Sequence, residues 1–448
     1  MKKVVKVALG AVALIATAMT AISCSKKAEG AAGVGKVVLT VLDYQDNTSP
    51  NAITSNEKVW DAFEKANPDI IIKREILFND AFHSKTDAYV QQGKMPDVFY
   101  MWPGGRSTAI HDKGLAKDLM PFLEKDGLVG SYNPKCIDPK AQRAGKLCEI
   151  PQCLTSSHMT YVNMKVLKDC GIDAPAKTYD ELKDQIAKLN AKGYEGVLMA
   201  NKDTWVMQSC LFSMVCGRLA GANWADDIVN GKAKFTDAPF LSAVKFIKQM
   251  YDDGVLTEKS LNTDYGSVVG QFATGKGGYM IDGDWRVGAF ITSKETGEAL
   301  ISPADQEANI ELINFPAIPG EVLSNSDSGT LGVGYGMSSA IEAGSAKEDA
   351  AWRLIKWLSG PECNQLRFEN DGTFPAWTGE GISKDGLEPL TLKRAAFYQI
   401  PDVTTPVFDS VFQGDVNNVI NTELQRLGLG ETTPEKVCAD VQAAFDAQ

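Results

Sequence analysis

The sequence lacks the features by which nucleic-acid-binding proteins are commonly recognised. Its 448 residues contain no run of Lys or Arg longer than two, and the formal net charge is −12 at pH 7. Binding to phosphate backbones needs a basic footprint, which an acidic chain of this kind does not have. We therefore expect no nucleic-acid partner.

Motifs for metal, redox and hydrolytic chemistry are also missing. No Cys-x-x-Cys, His-Glu-x-x-His or Gly-x-Ser-x-Gly occurs, so zinc, redox and serine-hydrolase sites have no support. The three histidines, His83, His111 and His158, are scattered, and we expect them to be surface or packing residues. The stretch 270–277 matches a phosphate loop except that Gly277 replaces the Ser or Thr that binds magnesium. The sequence thus predicts neither a metal nor a cofactor.

The first 23 residues have the pattern of an export signal. Lys2, Lys3 and Lys6 precede an apolar run over 7–22, a charged region followed by a hydrophobic one. The run is short and rich in Ala and Gly, whereas a membrane span needs about 20 apolar residues. We interpret 1–23 as a cleaved signal peptide. Its removal takes away three Lys and no acids, so the formal charge changes from −12 to −15.

The end of this run, TAISC over 20–24, resembles the bacterial lipoprotein signal box, with Ala21 where Leu is usual. Acylation of Cys24 would then hold the protein on a lipid membrane, and two or more acyl chains give stable anchoring. Small and polar residues follow, so we interpret 24–35 as a lipidated N-terminus with a flexible tether. Eight further cysteines make disulfides possible after export, and their pairing stays open.

Apolar, β-rich stretches alternate with helical patterns along the rest of the chain. The predicted strands are 36–42, 70–77, 97–101, 196–200, 278–281 and 311–315. The predicted helices are 54–66, with Thr54 in a capping box, and 80–92, 106–113, 179–192, 240–252 and 347–358. Such alternation implies parallel βαβ units. The predicted fold class is α/β, with more than one sheet at this length.

Aromatic residues mixed with acids and amides follow four of these strands. In parallel α/β sheets, ligands bind beyond the carboxyl ends of the strands. Aromatic rings stack on the apolar faces of sugars, while carboxylates and amides bind hydroxyl groups. For any single Trp the alternative is partial core packing. The pattern predicts a sugar-binding site formed by Tyr44, Asp46, Trp102, Trp205, Asp284 and Trp285.

The stretch YMIDGDW contains two carboxylates that invite comparison with a glycosidase. Asp282 and Asp284 are two apart on a predicted strand, so they would project to the same side, with Cα atoms about 6.6 Å apart. That is near the spacing of inverting glycosidases, roughly 6.5–9.5 Å. Glycosidase carboxylates flank the bond from different sides, however, so we expect a binding protein and not an enzyme. Asp284 and Trp285 should face the site, and Asp282 should be structural.

Several longer segments occur in a characteristic order. They are VWDAFEKANPDIIIKREIL, then MPDVFYMWPGGRSTAIHDKGLAKDLMPFLEKD, then FATGKGGYMIDGDWRVGAF. With them the chain resembles the extracellular solute-binding proteins of sugar ABC transporters, the maltose-binding-protein-like family 1. The resemblance implies a two-lobed periplasmic-binding-protein fold (type II) that closes on a solute in the cleft between its lobes. It also implies a lipid-anchored, monomeric receptor, periplasmic or at the cell surface, that delivers a sugar or short oligosaccharide to membrane-embedded permease subunits.

The same resemblance implies domain limits and roles for single residues. Lobe 1 would comprise 36–150 and 334–378, and lobe 2 would comprise 151–333 and 379–448. Trp285 corresponds to the stacking tryptophan of the second lobe. The other implied ligand contacts are Trp102, Trp205, Tyr335 and Trp377, with the loop from Tyr44 to Asp46.

One departure and two alternatives accompany this reading. Family members carry an aromatic cluster near the C-terminal crossing, where this chain offers only Phe408 and Phe412, which argues against long oligosaccharides. A different small polar solute, such as a glycerol phosphate or a peptide, is the first alternative. For a phosphate, Arg106, Lys202 and Arg286 are the candidate cations. A surface glycoside hydrolase is the alternative from another class.

Overall fold

The computed structural model describes residues 35–134, 136–137 and 145–448. The predicted signal peptide, Cys24 and the predicted tether up to residue 34 lie outside the described residues. Lys36–Gln448 forms one compact unit. Within the described ranges, none of the helices has the length and apolarity needed to cross a bilayer.

Ten strands in the described part of the chain form two sheets. They are β1 (Val37–Tyr44), β2 (Ile70–Leu77), β3 (Val98–Met101), β4 (Ile150–Ser156), β5 (Met159–Asn163), β6 (Glu195–Leu198), β7 (Gly277–Asp282), β8 (Ile310–Ile313), β9 (Ser326–Met337) and β10 (Val403–Thr405). The larger sheet has the order β10-β9-β3-β1-β2, with β4 also paired to β9, and the smaller has the order β6-β7-β5-β8. β1 pairs in parallel with β2 and β3, and β6 with β7, as the βαβ pattern predicts. The β3–β9, β4–β9, β5–β7 and β5–β8 pairs are antiparallel.

Helices cover both sheets. They are α1 (Pro50–Ala66), α2 (Asn79–Gln91), α3 (Thr108–Asp112), α4 (Met120–Asp126), α5 (Met164–Asp169), α6 (Tyr179–Ala191), α7 (Trp205–Met207), α8 (Ser213–Ala220), α9 (Trp224–Val229), α10 (Ala238–Asp252), α11 (Glu258–Asn262), α12 (Val268–Ala273), α13 (Val287–Phe290), α14 (Pro303–Asn309), α15 (Ala346–Ser359), α16 (Pro361–Asp371), α17 (Pro389–Phe397), α18 (Asp415–Gly428) and α19 (Pro434–Asp446). A π-helical turn, Gln208–Phe212, joins α7 to α8, and 3₁₀ turns occupy Gly104–Ser107, Val129–Ser131, Asp284–Arg286 and Phe408–Ser410.

The first helix begins earlier than its capping box predicts. Its N-cap is Ser49, whose side chain accepts a hydrogen bond from the Ala52 backbone N–H at 3.4 Å. Pro50 occupies the first helical position, where its fixed φ and missing N–H are no disadvantage. The expected cap at Thr54 is therefore wrong, because the helix already includes that residue.

Two separate hydrophobic cores lie against the two sheets. One is built by residues within 39–153 and 333–363, and the other by residues within 159–318 and 390–441. We call the body around the first core lobe 1 and the body around the second lobe 2. Cys210 and Cys216 are buried free thiols in the lobe 2 core. The predicted α/β class with more than one sheet is confirmed.

Candidate functional site

A cavity of about 750 Å³ lies between the two lobes. Lobe 1 contributes residues that follow β1 and β3, and lobe 2 contributes the start of α7 and the turn after β7. Its volume is within the ~300–1,000 Å³ that is typical of small-molecule sites. Five of the eight residues predicted to contact the ligand line it: Tyr44, Asp46, Trp102, Trp205 and Trp285.

The lobe 1 wall of the cavity consists of Tyr44, Tyr100 and Trp102. The Trp102 ring centroid lies 4.9 Å from the centroids of both tyrosines, in edge-to-face geometry. Buried Phe82 packs behind, with its centroid 5.4 Å from that of Tyr44 and 5.6 Å from that of Trp102. Edge-to-face contacts of this kind are favourable beyond the area that they bury. The rings of this wall therefore hold one another in place.

The lobe 2 wall consists of Trp205, Tyr265 and Trp285. The centroid of Trp205 lies 5.1 Å from that of Tyr265 and 6.3 Å from that of Trp285. The Trp285 Nε1–H donates a hydrogen bond to the Tyr265 hydroxyl at 2.6 Å. Beneath the wall, the Arg286 guanidinium carbon lies 3.2 Å from the Tyr265 ring centroid, a cation–π contact. An Arg286 N–H also donates to the Tyr265 carbonyl oxygen at 2.5 Å.

Asp282 and Asp284 diverge instead of projecting together. β7 ends at Asp282, and Asp284 begins a 3₁₀ turn, so the alternation of a strand no longer relates the two side chains. Asp282 accepts from Arg286 Nε at 2.8 Å, as expected for a structural residue. Asp284 accepts from Arg394 Nε at 2.9 Å and from the Tyr398 hydroxyl.

Burial decides what these two aspartates can do. Both are 0% exposed, and neither lines the cavity. Burial raises the pKa of both carboxyl groups, and the paired guanidinium groups oppose that rise. The expectation that Asp284 faces the site is not met, since it fixes α17 behind the wall. Two carboxylates placed in this way do not flank a sugar in the cavity, so they do not form a glycosidase pair.

Two more predicted residues lie away from the cavity surface. Tyr335 is buried, with its hydroxyl donating to Asp43 Oδ1 at 2.6 Å and its ring centroid 5.3 Å from that of Tyr100. It therefore supports the lobe 1 wall from behind. Trp377 packs edge-on against Tyr132 at 5.2 Å and donates to a nearby backbone oxygen, so it closes a loop away from the cavity. The implied ligand contacts at Tyr335 and Trp377 thus do not reach the cavity in this structure.

The C-terminal aromatic residues behave in the same way. Phe408 and Phe412 are 0% and 3% exposed and belong to the lobe 2 core. They are the only aromatics of the stretch TTPVFDSVF. Neither lines the cavity.

Two of the three cavity arginines have a carboxylate partner. Arg106 pairs with Asp409 and also donates to His83 Nε2 at 2.8 Å, and burial together with this cation lowers the pKa of His83 to about 3. Arg394 pairs with Asp284 as described above. Arg367 donates to Asn56 at 3.0 Å, and none of the carboxylates in the described residues forms an ion pair with it.

The remaining charged groups at the surface of the cavity are mostly acidic. Asp46 accepts from both the backbone N–H and the hydroxyl of Thr48, at 2.7 and 2.6 Å, with both hydrogen bonds on the same carboxylate oxygen, Oδ1. Lys202 is an exposed cation at the rim. A polar surface with aromatic walls and an excess of acidic groups disfavours anions and suits a ligand that carries hydroxyl groups.

Direct contacts join the two lobes around the cavity. On one side, Arg106 of lobe 1 pairs with Asp409 of lobe 2. Next to it, an ideal Cβ on Gly105 would lie 2.6 Å from the Val411 carbonyl oxygen, so only glycine permits this approach. On the other side, Asn51 Nδ2 donates to the backbone oxygens of Gly288 and Ile291, both at 3.0 Å. The lobes are therefore in contact across the cleft.

Several cavity residues belong to no motif that could be recognised in the sequence. Tyr100 lies within β3, and Tyr265 lies in a turn before α12, far from any strand end. Asn417 and Asn421 come from α18, near the C-terminus. Their spacing of four places both on one face of a helix, and that spacing was the only signal. Among the described residues, no group of three His, Cys, Asp or Glu side chains is arranged to hold a metal ion.

Comparisons with known proteins agree with this geometry. A binding protein of Brucella abortus (strain 2308) is 25% identical over 427 residues, which cover 93% of this chain and 94% of that protein. A chitin oligosaccharide binding protein of known structure superposes with a TM-score of 0.80 at 24% identity, over 92% of this chain and 98% of that one. A maltose-bound protein from T. maritima superposes with a TM-score of 0.71 at 18% identity, over 92% and 99%.

The fold expected from the resemblance, two α/β lobes with a cleft between them, is confirmed by these superpositions. The family model described as "Bacterial extracellular solute-binding protein" matches residues 49–364. That match covers more than half of the chain, including α1 and the strand ends that carry Trp102, Trp205 and Trp285. The chain therefore belongs to the bacterial extracellular solute-binding protein family.

Proposed function

We propose that this protein is a receptor that captures an uncharged sugar or short oligosaccharide and delivers it to the permease of an ABC transporter. One observation carries the proposal: aromatic walls from both lobes line a single cavity, in which two of the three arginines are paired with carboxylates. Family members of similar fold include proteins described as binding chitin oligosaccharide and maltose. The protein is a binding protein in this proposal, and not an enzyme.

The ligand contacts follow from the walls. Trp285 would stack on one face of a sugar unit with Trp205 beside it, and Trp102 and Tyr44 would cover another part of the ligand. Asp46 would accept hydrogen bonds from hydroxyl groups, which gives selectivity because a desolvated acceptor must be paired. The remaining predicted residues, Asp284, Tyr335 and Trp377, take supporting roles in this proposal.

Closure of the two lobes would bind the ligand. A ligand that contacts both lobes favours the state in which they are in contact. We keep the limits 36–150 with 334–378 for lobe 1 and 151–333 with 379–448 for lobe 2 as part of this proposal. The two cores support it except at Cys153 and Val333, which belong to the lobe 1 core. Solution scattering should give a smaller radius of gyration with the ligand than without it.

Anchoring through Cys24 completes the proposal: the mature receptor would be a lipid-anchored monomer on the outer side of a bacterial membrane. A Cys24→Ala variant should be exported but released from the membrane fraction. Quantitative retention with membranes would contradict this anchor without affecting ligand binding.

The experiment that tests the function is a thermal-shift screen of the purified mature protein. Uncharged mono- and disaccharides would be compared with sn-glycerol 3-phosphate and short peptides. A ligand at 100 times its dissociation constant stabilises the native state by ~2.7 kcal/mol, which raises the melting temperature. If only the phosphate or a peptide raises the melting temperature, the ligand is that solute and not a sugar. If the protein hydrolyses an oligosaccharide, it is a glycoside hydrolase.

A further inference from the structure

The part of the cavity beyond Trp205 is bounded by α18, which no motif distinguishes. α18 packs against α7, and its Gln425 side chain donates to the backbone oxygen of Asn201. Asn417 and Asn421 lie on one face of α18 and line the same cavity as Trp205. Two carboxamides and an indole N–H therefore line the cavity from two helices that are in contact.

Three polar atoms of these side chains have no protein partner. The side-chain oxygens of Asn417 and Asn421 and the Nε1–H of Trp205 are shielded from solvent, and each lacks a hydrogen bond within the described residues. Buried polar atoms in native proteins are nearly always paired, and an unpaired one is destabilising. Two acceptors and one donor are thus available to a ligand, in contrast to Trp285, whose N–H is already bonded to Tyr265.

The size of the cavity exceeds what one sugar ring fills. A volume of about 750 Å³ corresponds to about 25 water molecules at ~30 Å³ each. That is more than a single hexose displaces. A ring stacked on Trp285 therefore leaves room for a neighbouring unit.

We infer that Asn417, Asn421 and Trp205 form a second subsite, which binds the sugar unit adjoining the one stacked on Trp285. Hydroxyl groups of this unit donate to the two carboxamide oxygens and accept from the indole N–H, since a hydroxyl can do both. The inference rests on the proposed sugar-binding function and adds that the ligand has at least two units. It also assigns the selectivity for the second unit to α18.

The test is calorimetry with matched pairs of one-unit and two-unit sugars. The probes are glucose and maltose, N-acetylglucosamine and di-N-acetylchitobiose, and xylose and xylobiose. The variants are Asn417→Ala and Asn421→Ala, singly and together. Thr422→Ala is the matched control, because Thr422 is an exposed residue of the same helix that bonds to its own backbone and does not line the cavity.

The native protein should bind at least one disaccharide more tightly than its monosaccharide. Each Asn→Ala change should weaken disaccharide binding roughly 3- to 10-fold, the loss of one hydrogen bond, and the double variant roughly 10- to 100-fold. Monosaccharide affinity should stay within about twofold, and the control should match the native protein in both.

The melting temperature of every variant is measured alongside its affinities, so that a folding defect is told apart from a loss of binding. Equal weakening of mono- and disaccharide binding by the Ala variants, or a lower melting temperature with unchanged affinities, would overturn the subsite and leave the sugar receptor standing. If the native protein binds none of the six sugars, the proposed function fails and the subsite fails with it.

Discussion

The two aromatic walls present similar surfaces to the cavity but are supported in different ways. In lobe 1, Trp102 and Tyr44 are held by other rings, with Phe82 and Tyr335 behind them. In lobe 2, Tyr265 and Trp285 rest on Arg286, whose charge is balanced by Asp282. Truncating one ring of a cluster removes only part of the packing energy. Removing one partner of a buried ion pair leaves an unpaired buried charge, which is strongly destabilising. The lobe 2 wall should therefore depend on a single charge.

The largest expected effect is on the stability of the lobe 2 wall. Arg286→Met leaves the buried carboxylate of Asp282 without its partner, which should reduce the free energy of unfolding by about 3–5 kcal/mol. Urea denaturation followed by fluorescence measures this. Arg353→Met, which removes a surface pair with Asp69, is the control and should change little. Equal losses in both variants would mean that the buried charge has no special role.

The second prediction compares what the two walls contribute to ligand affinity and to the melting temperature of the protein. Trp285→Ala should weaken sugar binding about 100-fold, or ~2.7 kcal/mol, because the stacked ring is lost. Its melting temperature should change little, since the ring is partly exposed to the cavity. Trp102→Ala should lower the melting temperature more, because Trp102 touches Tyr44, Tyr100 and Phe82. Calorimetry measures the affinity and thermal melting measures the stability of both variants. A larger drop in melting temperature for Trp285→Ala than for Trp102→Ala would contradict the comparison.

The third prediction concerns the contact that joins the walls. Asp409→Asn removes the charge that holds Arg106 across the cleft and so disfavours the closed state. Apparent affinity falls by the fraction of molecules that are competent to bind, so the dissociation constant should rise about 5- to 10-fold, mainly through faster release. Stopped-flow fluorescence measures the release rate. Asp415→Asn, at an exposed site on α18, should leave it unchanged.

The smallest expected effect is on the pH dependence of the free energy of unfolding. Burial raises the pKa of Asp327, on β9, to about 8. In the unfolded chain an Asp titrates near ~3.9, so between those values the native state holds a proton that the unfolded state does not. The contribution of protonated Asp327 to the free energy of unfolding is therefore fully present below pH ~4 and is lost as the pH rises towards 8. Asp327→Asn should raise the melting temperature by a few degrees at pH 8.5 and less at pH 5.5.

Much of the fold could be predicted because its strands are apolar runs covered by helices. β2 was predicted with its observed limits, and β1, β3 and β7 to within two residues at either end. The antiparallel partners β4 and β9 were not, because their pairing joins segments more than 170 residues apart and leaves no local periodicity. Hydrophobic periodicity within a short window cannot identify a strand partner that is distant in sequence.

The site was only partly predictable for a related reason. Trp102, Trp205 and Trp285 follow strands, so a rule about strand ends finds them. Asp284 misled that rule because β7 ends two residues before it. Tyr265, Asn417 and Asn421 reach the cavity from turns and helices, where only the tertiary fold decides which side chains meet.

One strand serves both lobes. β9 starts beside Arg218, whose Nε donates to Ser326 in the lobe 2 region, and ends paired with Val98 in the lobe 1 sheet. Melting either lobe would withdraw a strand from the other, so neither has an independent folding equilibrium. Calorimetry should then show a single cooperative transition, and a ligand bound to the cleft should shift that transition as a whole. The strand shared by the two lobes should therefore make them unfold together.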